Sequence, residues 1–574
     1  MNRSTGWIAL GTFKIHSVGL LLVSLFLTDC SVAIPQTATA ADQKSSTESE
    51  ELSTVLQEGY RLEAAKQWQQ AVQHYERWLR GHRDAIEIER RLQICRIHHD
   101  ILRRYSDGTF LQLLANSSLE QSLDLYSEIL NKLEWNYVDA LALPELLRYG
   151  TASLEVALTE QDFLSRNLPR IPQAASEHFR LNIHREVLGR PVQNPGEART
   201  IVHMVANKAH QELGIPPVAT VMEYVAGAVG LLDPYSGYMT AGELSEMMSQ
   251  IDGNLIGLGV ELLAEQDELK VIEVFEKSPA SIAGLQPGDR ILAIDDSEIA
   301  VISAKRGADL LRGPENSKVR LKLNRTNGTS TQVEVIRKRV EVPSVIDVGI
   351  ADPESGIGYL RISNFQKTTP HEVDQALDQL AIQGMSSLII DLRRNPGGVL
   401  EAAVEVADRF LLQGPIVSTR GRSRIENRQY DAQAPDTSSI PLTLLIDGDS
   451  ASASELLAGA LRDHRRATLV GTRTYGKGSV QGLFHTDTLP GGLRLTVSKF
   501  FSPSGHMIHL QGVDPDLSTQ VANDPTNGKA VQTLKPSSSG GSSLLGLKHL
   551  ASDLTLQKAV EVARRQRSTI ALAP

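Results

Sequence analysis

The chain has 574 residues, of which 41% are hydrophobic and 22% charged, with 58 Lys and Arg against 68 Asp and Glu for a net charge of −10. That length suggests three or four domains, the composition is that of a folded globular protein, and the negative balance argues against a nucleic-acid role. The only cysteines are Cys30 and Cys95, and Cys95, in a helical run, reads as a buried apolar residue rather than a nucleophile or half of a disulfide. Residues 1–41 read as an export signal. Arg3 and Lys14 supply positive charge, Val18–Leu27 is an apolar core too short to span a bilayer comfortably, and Ala38-Thr-Ala40 offers small residues for cleavage. Leu27-Thr-Asp-Cys30 has the outline of a lipidation site, but Asp29 stands where a small residue is needed. The expected location is the periplasm or an equivalent extracytoplasmic compartment, the alternative being a membrane anchor left uncleaved.

Residues 42–51 are polar and acidic, as in a linker. Residues 52–115 carry a helical pattern in which Gly59, Tyr60, Ala71 and Tyr75 match the spacing of a tetratricopeptide helix pair, with no clear second copy. One such unit cannot bury its own face, so it is expected either to pack on its neighbours or to belong to a peptide-binding array. Residues 116–250 read as helical, with a Pro-rich and polar interruption near 168–197, and Asp233-Pro234 reads as a helix stop.

Residues 253–340 resemble a PDZ domain. Gly257-Leu258-Gly259-Val260 matches its carboxylate-binding loop and the strand that follows, and Ser278–Leu292 matches the helix, turn and strand of the module. Glycines let backbone N–H groups converge on a peptide's terminal carboxylate while the strand edge pairs with the peptide.

Residues 341–520 contain the stretch with the most chemistry. Pro441–Ile446 and Ala467–Gly471 read as buried strands, and Leu456, Leu457, Ala460 and Leu461 recur at helical spacing. The small residues of Asp447-Gly-Asp-Ser-Ala-Ser-Ala-Ser-Glu455 therefore sit on a strand-to-helix turn. A hydroxyl placed there lies beside unpartnered backbone N–H groups at the positive end of a helix dipole, which suits a nucleophile whose product is an oxyanion. Ser450, Ser452 and Ser454 compete for that role, and each is equally suited to capping the helix. Lys477 follows between Gly476 and Gly478 with no acidic neighbour; a lysine buried without a partner loses its proton readily and can act as a base. A Ser–Lys dyad is the economical reading. Gly471–Lys477 also fits seven positions of a phosphate-binding loop, but Gly478 replaces the hydroxyl residue that would hold magnesium, and Ser479–Phe484 has strand character where a helix is required.

Ser450-Ala-Ser-Ala-Ser-Glu455, Asp463 and Tyr475-Gly-Lys-Gly-Ser-Val-Gln481 together resemble the carboxyl-terminal processing peptidases, or tail-specific proteases, over roughly residues 215–520. The resemblance implies a multidomain α/β protein with a crotonase/ClpP-like catalytic core, a PDZ domain and a helical N-terminal region. It places the nucleophile on Ser452, the general base on Lys477 and the glutamine that orients the lysine on Gln481. It assigns the oxyanion donors to the N–H groups of Gly398, in Asn395-Pro-Gly-Gly398, and Ala453; some members use an aspartate where Asp463 stands. It implies no cofactor and no metal, and it implies protein or peptide substrates with free C-termini. An adaptor or activator protein, peripheral membrane association and a homo-oligomer stay open. The competing class is a catalytically silent PDZ and tetratricopeptide scaffold. Residues 521–574 are expected to form a flexible tail, Ser/Gly-rich at 534–545, with room for a final helix over Asp553–Arg565.

Overall fold

Four apolar runs, Ile357–Ile362, Ser387–Asp391, Leu442–Ile446 and Ala467–Gly471, lie side by side as parallel strands, with Leu388 opposite Leu442 and Leu442 opposite Ala467. The computed structural model in which they are seen describes residues 40–571 apart from 80, 83–84, 169–172, 266–267, 303–306, 308–309, 312, 314, 434–436 and 520–552. The expected signal, but for residues 40–41, and the Ser/Gly-rich segment 534–545 fall outside the described residues. The chain divides into two units, residues 1–60 and 61–574; the described part of the first is helical. Among the described residues no helix is long and apolar enough to cross a membrane.

The four strands are continuous in hydrophobicity because both faces of their sheet are covered. Leu360, Ile362, Leu388, Ile390, Leu444, Ile446 and Leu469 point to one face, against Val373, Ala403 and Leu457 of the helices Thr369–Ile382, Leu400–Asp408 and Ala453–Asp463. Tyr359, Ile389, Leu445 and Val470 point to the other, where the helix Leu554–Ala571 lays down Leu556, Ala559, Val562 and Ala563. Polar contacts fix that helix: Asp553 pairs with Arg393 at 2.7 Å, Arg564 with Asp352 at 2.7 Å, and Gln566 donates to Thr468 Oγ1. Val345–Asp352 joins one edge of the sheet antiparallel, and Leu517–Ser518 joins the other.

A second sheet is built on the long strand Gly492–Phe501, which pairs antiparallel with Gly237–Met239, Pro415–Gly421 and Ser479–His485. Its Leu493, Leu495 and Val497 enter the core of the helical region that precedes residue 250. At the centre of that region is the helix Pro217–Gly230, buried at every residue from Val218 to Val229. Gly150 and Gly227 let it press on Leu143–Ala157, since a Cβ on Gly150 would lie 2.4 Å from Tyr224 Cδ1. The one carboxylate on its buried stretch, Glu223, is tolerated because Arg104 meets both its oxygens, at 3.1 and 2.8 Å, and Ser153 adds a hydroxyl. The sequence pattern suggested an interruption at 168–197, yet Gln173–Leu188 is a helix; Phe179, Ile183 and Val187, four residues apart, are its buried stripe among polar neighbours. Earlier, Ala71 and Tyr75 are fully buried and Tyr75 donates to Glu63. Cys95 is buried as well, which pushes its thiol up to about 11.

Residues 260–336 contain a separate antiparallel sheet in the order Val260–Glu265, Glu268–Val274, Arg290–Ile294, Lys318–Asn324, Ser330–Ile336, and Asn254–Gly257 pairs with Lys338–Glu341 as a two-stranded sheet of its own. Leu258, Val271, Ile291 and Leu321 are in its core. Val260–Glu265 is an edge strand in that order.

Candidate active site

The strand Leu442–Ile446 ends at Asp447, whose Oδ1 accepts the N–H groups of Asp449 and Ser450 and, from the neighbouring loop, of Arg394, all at 3.0 Å. That carboxylate bends the chain toward the helix Ala453–Asp463. The turn separates the three serines. Ser450 is fully buried and donates to Leu392 O at 2.8 Å; Ser454 is fully buried and donates to Asn395 O at 3.1 Å. Both hydroxyls fasten the turn to residues 392–395. Ser452 alone is partly accessible, and it lines a cavity of about 730 Å³. Its backbone has φ +56° and ψ −114°, a conformation seldom adopted by residues with a side chain and one associated with functional turns.

The second wall is the loop after Ser387–Asp391. Asn395, fully buried, donates to Ile362 O and accepts the Gly397 N–H at 2.8 Å. Gly397 then passes so close to the turn that a Cβ on it would lie 2.7 Å from Ser452 Cβ, and a Cβ on Gly398 (φ +145°) would lie 2.0 Å from Phe365 O. Among the described residues no acceptor pairs with the N–H of Gly398 or of Ala453, and both residues line the cavity. Two bare donors beside one hydroxyl, at the first turn of a helix, are what an oxyanion needs.

Lys477 comes from the loop between Ala467–Gly471 and Ser479–His485. Gly478 allows that loop to pass against the chain, since a Cβ there would meet His509 N at 2.1 Å. The segment leads into a strand, so the phosphate-loop alternative lacks its helix. Lys477 also lines the cavity, and among the described residues its amine has no hydrogen bond or ion pair; Nζ stands 4.6 Å from the centroid of the Tyr235 ring. Burial, and then the like charge of Arg494, bring its pKa down from 10.5 to about 8. A fully buried carboxylate ties the two loops together. Glu455 Oε2 accepts the N–H groups of Ser452 and Lys477, both at 2.8 Å, while Oε1 accepts Thr474 Oγ1 and the Gly476 N–H, both at 2.6 Å. Burial holds its carboxyl above the ordinary range despite those donors. Sequence reasoning missed this clamp because a glutamate three residues into a helix ordinarily only caps it.

Gln481 lines the same cavity, but its amide donates to Ser479 Oγ at 2.9 Å. Asp463 is not brought to the site. It stands at the opposite end of the helix that begins after Ser452, where its carboxylate accepts the Ser504 N–H at 2.9 Å. Ten residues of helix rise separate it from Ala453, about 15 Å.

In the separate sheet, Gly259 has φ +75°, and Leu258 O and Gly259 O accept N–H groups from Ala280 and Phe275. Leu258 is buried in the core of that sheet, Gly257 pairs with Lys338, and Val260 opens the edge strand.

A family model described as Peptidase family S41 matches residues 356–519, and one described as PDZ domain matches residues 270–325. The chain is similar to a carboxy-terminal-processing protease of Bartonella bacilliformis, 37% identical over 299 residues that cover 51% of this chain and 68% of the relative. A carboxyl-terminal-processing protease of Picosynechococcus is 34% identical over 392 residues, covering 66% of this chain and 87% of the relative. Among solved structures, a photosystem II D1 C-terminal processing protease is 23% identical, with 66% of this chain and 94% of that chain covered and a TM-score of 0.33.

Proposed function

This chain belongs to the carboxyl-terminal processing proteases of peptidase family S41, serine peptidases here carrying a PDZ domain, and from that premise we propose that it is an exported endopeptidase cutting proteins near their C-termini with a Ser452–Lys477 dyad. The observation that carries the dyad is the shared clamp: one carboxylate oxygen of Glu455 holds the backbones of Ser452 and Lys477, and both side chains line one cavity.

In the proposed reaction the neutral amine of Lys477 takes the proton of Ser452 Oγ as that oxygen bonds to the scissile carbonyl carbon. The carbonyl π pair moves to the oxygen, which the Gly398 and Ala453 N–H groups receive. The pair returns as the C–N bond breaks, and Lys477 delivers its proton to the leaving amine. Water then opens the acyl ester by the same sequence. Gln481 is assigned the orientation of Lys477, exchanging Ser479 for the lysine as substrate enters. The PDZ loop Gly257–Val260 and the edge strand it opens receive the free carboxylate and backbone of a substrate tail.

The test is mass spectrometry of products from an unfolded protein with a free C-terminus, and kcat/KM for the same peptide as free acid and as amide. Ser452→Ala should abolish cleavage, and amidation should slow it. Peptide binding without turnover in the intact chain would favour the silent scaffold, and equal rates for acid and amide would remove tail reading by the PDZ loop.

A further inference from the structure

The turn that follows the helix Pro217–Gly230 reads from the sequence as a helix stop, but it reaches the proposed base. Asp233 Oδ1 accepts the N–H groups of Tyr235 and Ser236 at 2.7 and 2.9 Å, and Oδ2 accepts the Ser236 hydroxyl at 2.7 Å. The carboxylate thus folds the chain on itself. Ser236 Oγ accepts the Thr496 N–H, and Gly237–Met239 pair with Arg494, Leu493 and Gly492. Arg494 completes the attachment by donating Nε to Tyr235 O at 2.6 Å. The Tyr235 ring is left facing Lys477 Nζ at 4.6 Å. Arg494 itself lines the cavity with Ser452 and Lys477, and among the described residues no carboxylate forms an ion pair with it.

We propose that Tyr235 and Arg494 are positioning residues for the general base, Arg494 opposing a charge on Lys477 before reaction and the Tyr235 ring face accommodating the ammonium that forms during it. This rests on the dyad reading above. An arginine held in no close ion pair among the described residues, with Asp233 and Glu243 bearing on it only from a distance, repels a second cation, so it adds to burial in favouring the free amine. An aromatic face attracts a cation within about 6 Å of its centroid. That attraction is weak toward a neutral amine and gains strength once Lys477 holds the serine proton. Stabilisation that appears only along the reaction coordinate is the kind that raises kcat. The other groups facing Lys477 leave this division intact. Asp233, on the Tyr235 turn, is occupied by that turn; Glu455, on the serine helix, is occupied by backbone and hydroxyl donors; Tyr475, on the lysine's own loop, bonds to Tyr235. The pKa of Lys477 is pushed down with Arg494 as the second cause and Asp233 and Glu455 acting against it.

The experiment is a pH profile of kcat on one peptide substrate for the full chain and for Arg494→Gln, Arg494→Lys, Tyr235→Phe and Tyr235→Leu, with melting curves to confirm folding. Arg494→Gln should move the acid limb upward by roughly half to one pH unit, so that its deficit at pH 7 disappears on the alkaline plateau, and Arg494→Lys should hold the limb in place. Tyr235→Leu should lower plateau kcat by about tenfold with KM little changed, while Tyr235→Phe, which keeps the ring, retains most of the rate. If Arg494→Gln folds and loses the same factor at every pH, or if Tyr235→Phe falls as far as Tyr235→Leu, the proposal is overturned. Should Arg494→Gln not fold, Arg494→Lys decides: a limb displaced despite the retained charge overturns the electrostatic role. Cleavage persisting in Ser452→Ala would instead remove the dyad itself, a separate failure.

Discussion

Glu455 holds Lys477 by the backbone, with Oε2 2.8 Å from the lysine N–H, and the same oxygen accepts the N–H of Ser452. The spacing of the proposed nucleophile and base is therefore set by a third side chain that need not touch substrate. Glutamine in its place has one accepting oxygen and an amide that faces donors. Glu455→Gln should lower stability by about 2–4 kcal/mol, since buried donors lose their acceptor, and reduce kcat/KM by roughly a hundredfold. Thermal melts and kinetics on the same preparation check this; a stable variant with unchanged kcat/KM would show that the two loops hold their spacing without it.

The backbone at Ser452 supplies a second expectation. A residue with a side chain at φ +56°, ψ −114° carries strain of order 1–3 kcal/mol, and glycine does not. Ser452→Gly should be inactive and melt higher than the native chain, whereas Ser452→Ala should be inactive and melt close to it. Calorimetry of the pair distinguishes strain from the loss of the hydroxyl.

The lysine gives a pH signature in both rate and stability. Native Lys477 titrates near 8 and the unfolded chain near 10.5, so the rate should rise through about pH 8 and level off above it. Below about pH 8 the native state carries the full burden of a buried charge. Between 8 and 10.5 the unfolded chain binds a proton that the native state has released, so stability climbs with pH. Lys477→Met should thus be more stable than the native chain at pH 7, with the gap closing toward pH 10.5. Lys477→Arg should be inactive throughout, because arginine keeps its proton. Denaturant midpoints at several pH values test the sign, and a gap that widens with pH would contradict it.

Two glycines separate conformational strain from collision. Gly505 has φ +81° with nothing within 4 Å of a built Cβ, so Gly505→Ala should lose only about 1 kcal/mol. Gly398→Ala would place its Cβ 2.0 Å from Phe365 O, a backbone atom that cannot turn aside. It should destabilise by more than 3 kcal/mol and abolish cleavage, as the loop must leave its place beside Ala453. Comparable melting points for the two variants would mean that this loop is looser than its packing implies.

Part of the sheet was legible because its strands, apolar on both faces, read as unbroken runs at Pro441–Ile446 and Ala467–Gly471. The turn and the lysine loop were legible from small residues and glycines. Which serine faces the cavity was not legible from local pattern and came only from the motif resemblance, since the contacts that bury Ser450 and Ser454 come from Leu392 and Asn395, nearly sixty residues earlier in sequence. The part proposed for Tyr235 was hidden for the same reason: its partner Arg494 lies 259 residues further on, and local pattern reports only the end of a helix. The helix Gln173–Leu188 was masked by the polar residues around its three buried apolar ones. Asp463 shows the reverse case, a residue of suitable chemistry that the fold holds at the far end of the helix from Ser452.

The helix Leu554–Ala571 is the last described element in the chain, yet it covers a face formed by strands that begin two hundred residues before it. A nascent chain that has already made Ser452, Lys477 and their glutamate clamp still presents Ile357, Tyr359, Ile389, Leu445 and Val470 to water. Synthesis order therefore leaves this face open until residues 554–571 have emerged, and a chain halted before Asp553 should expose a sticky sheet, a candidate for capture by chaperones rather than a shortened protease.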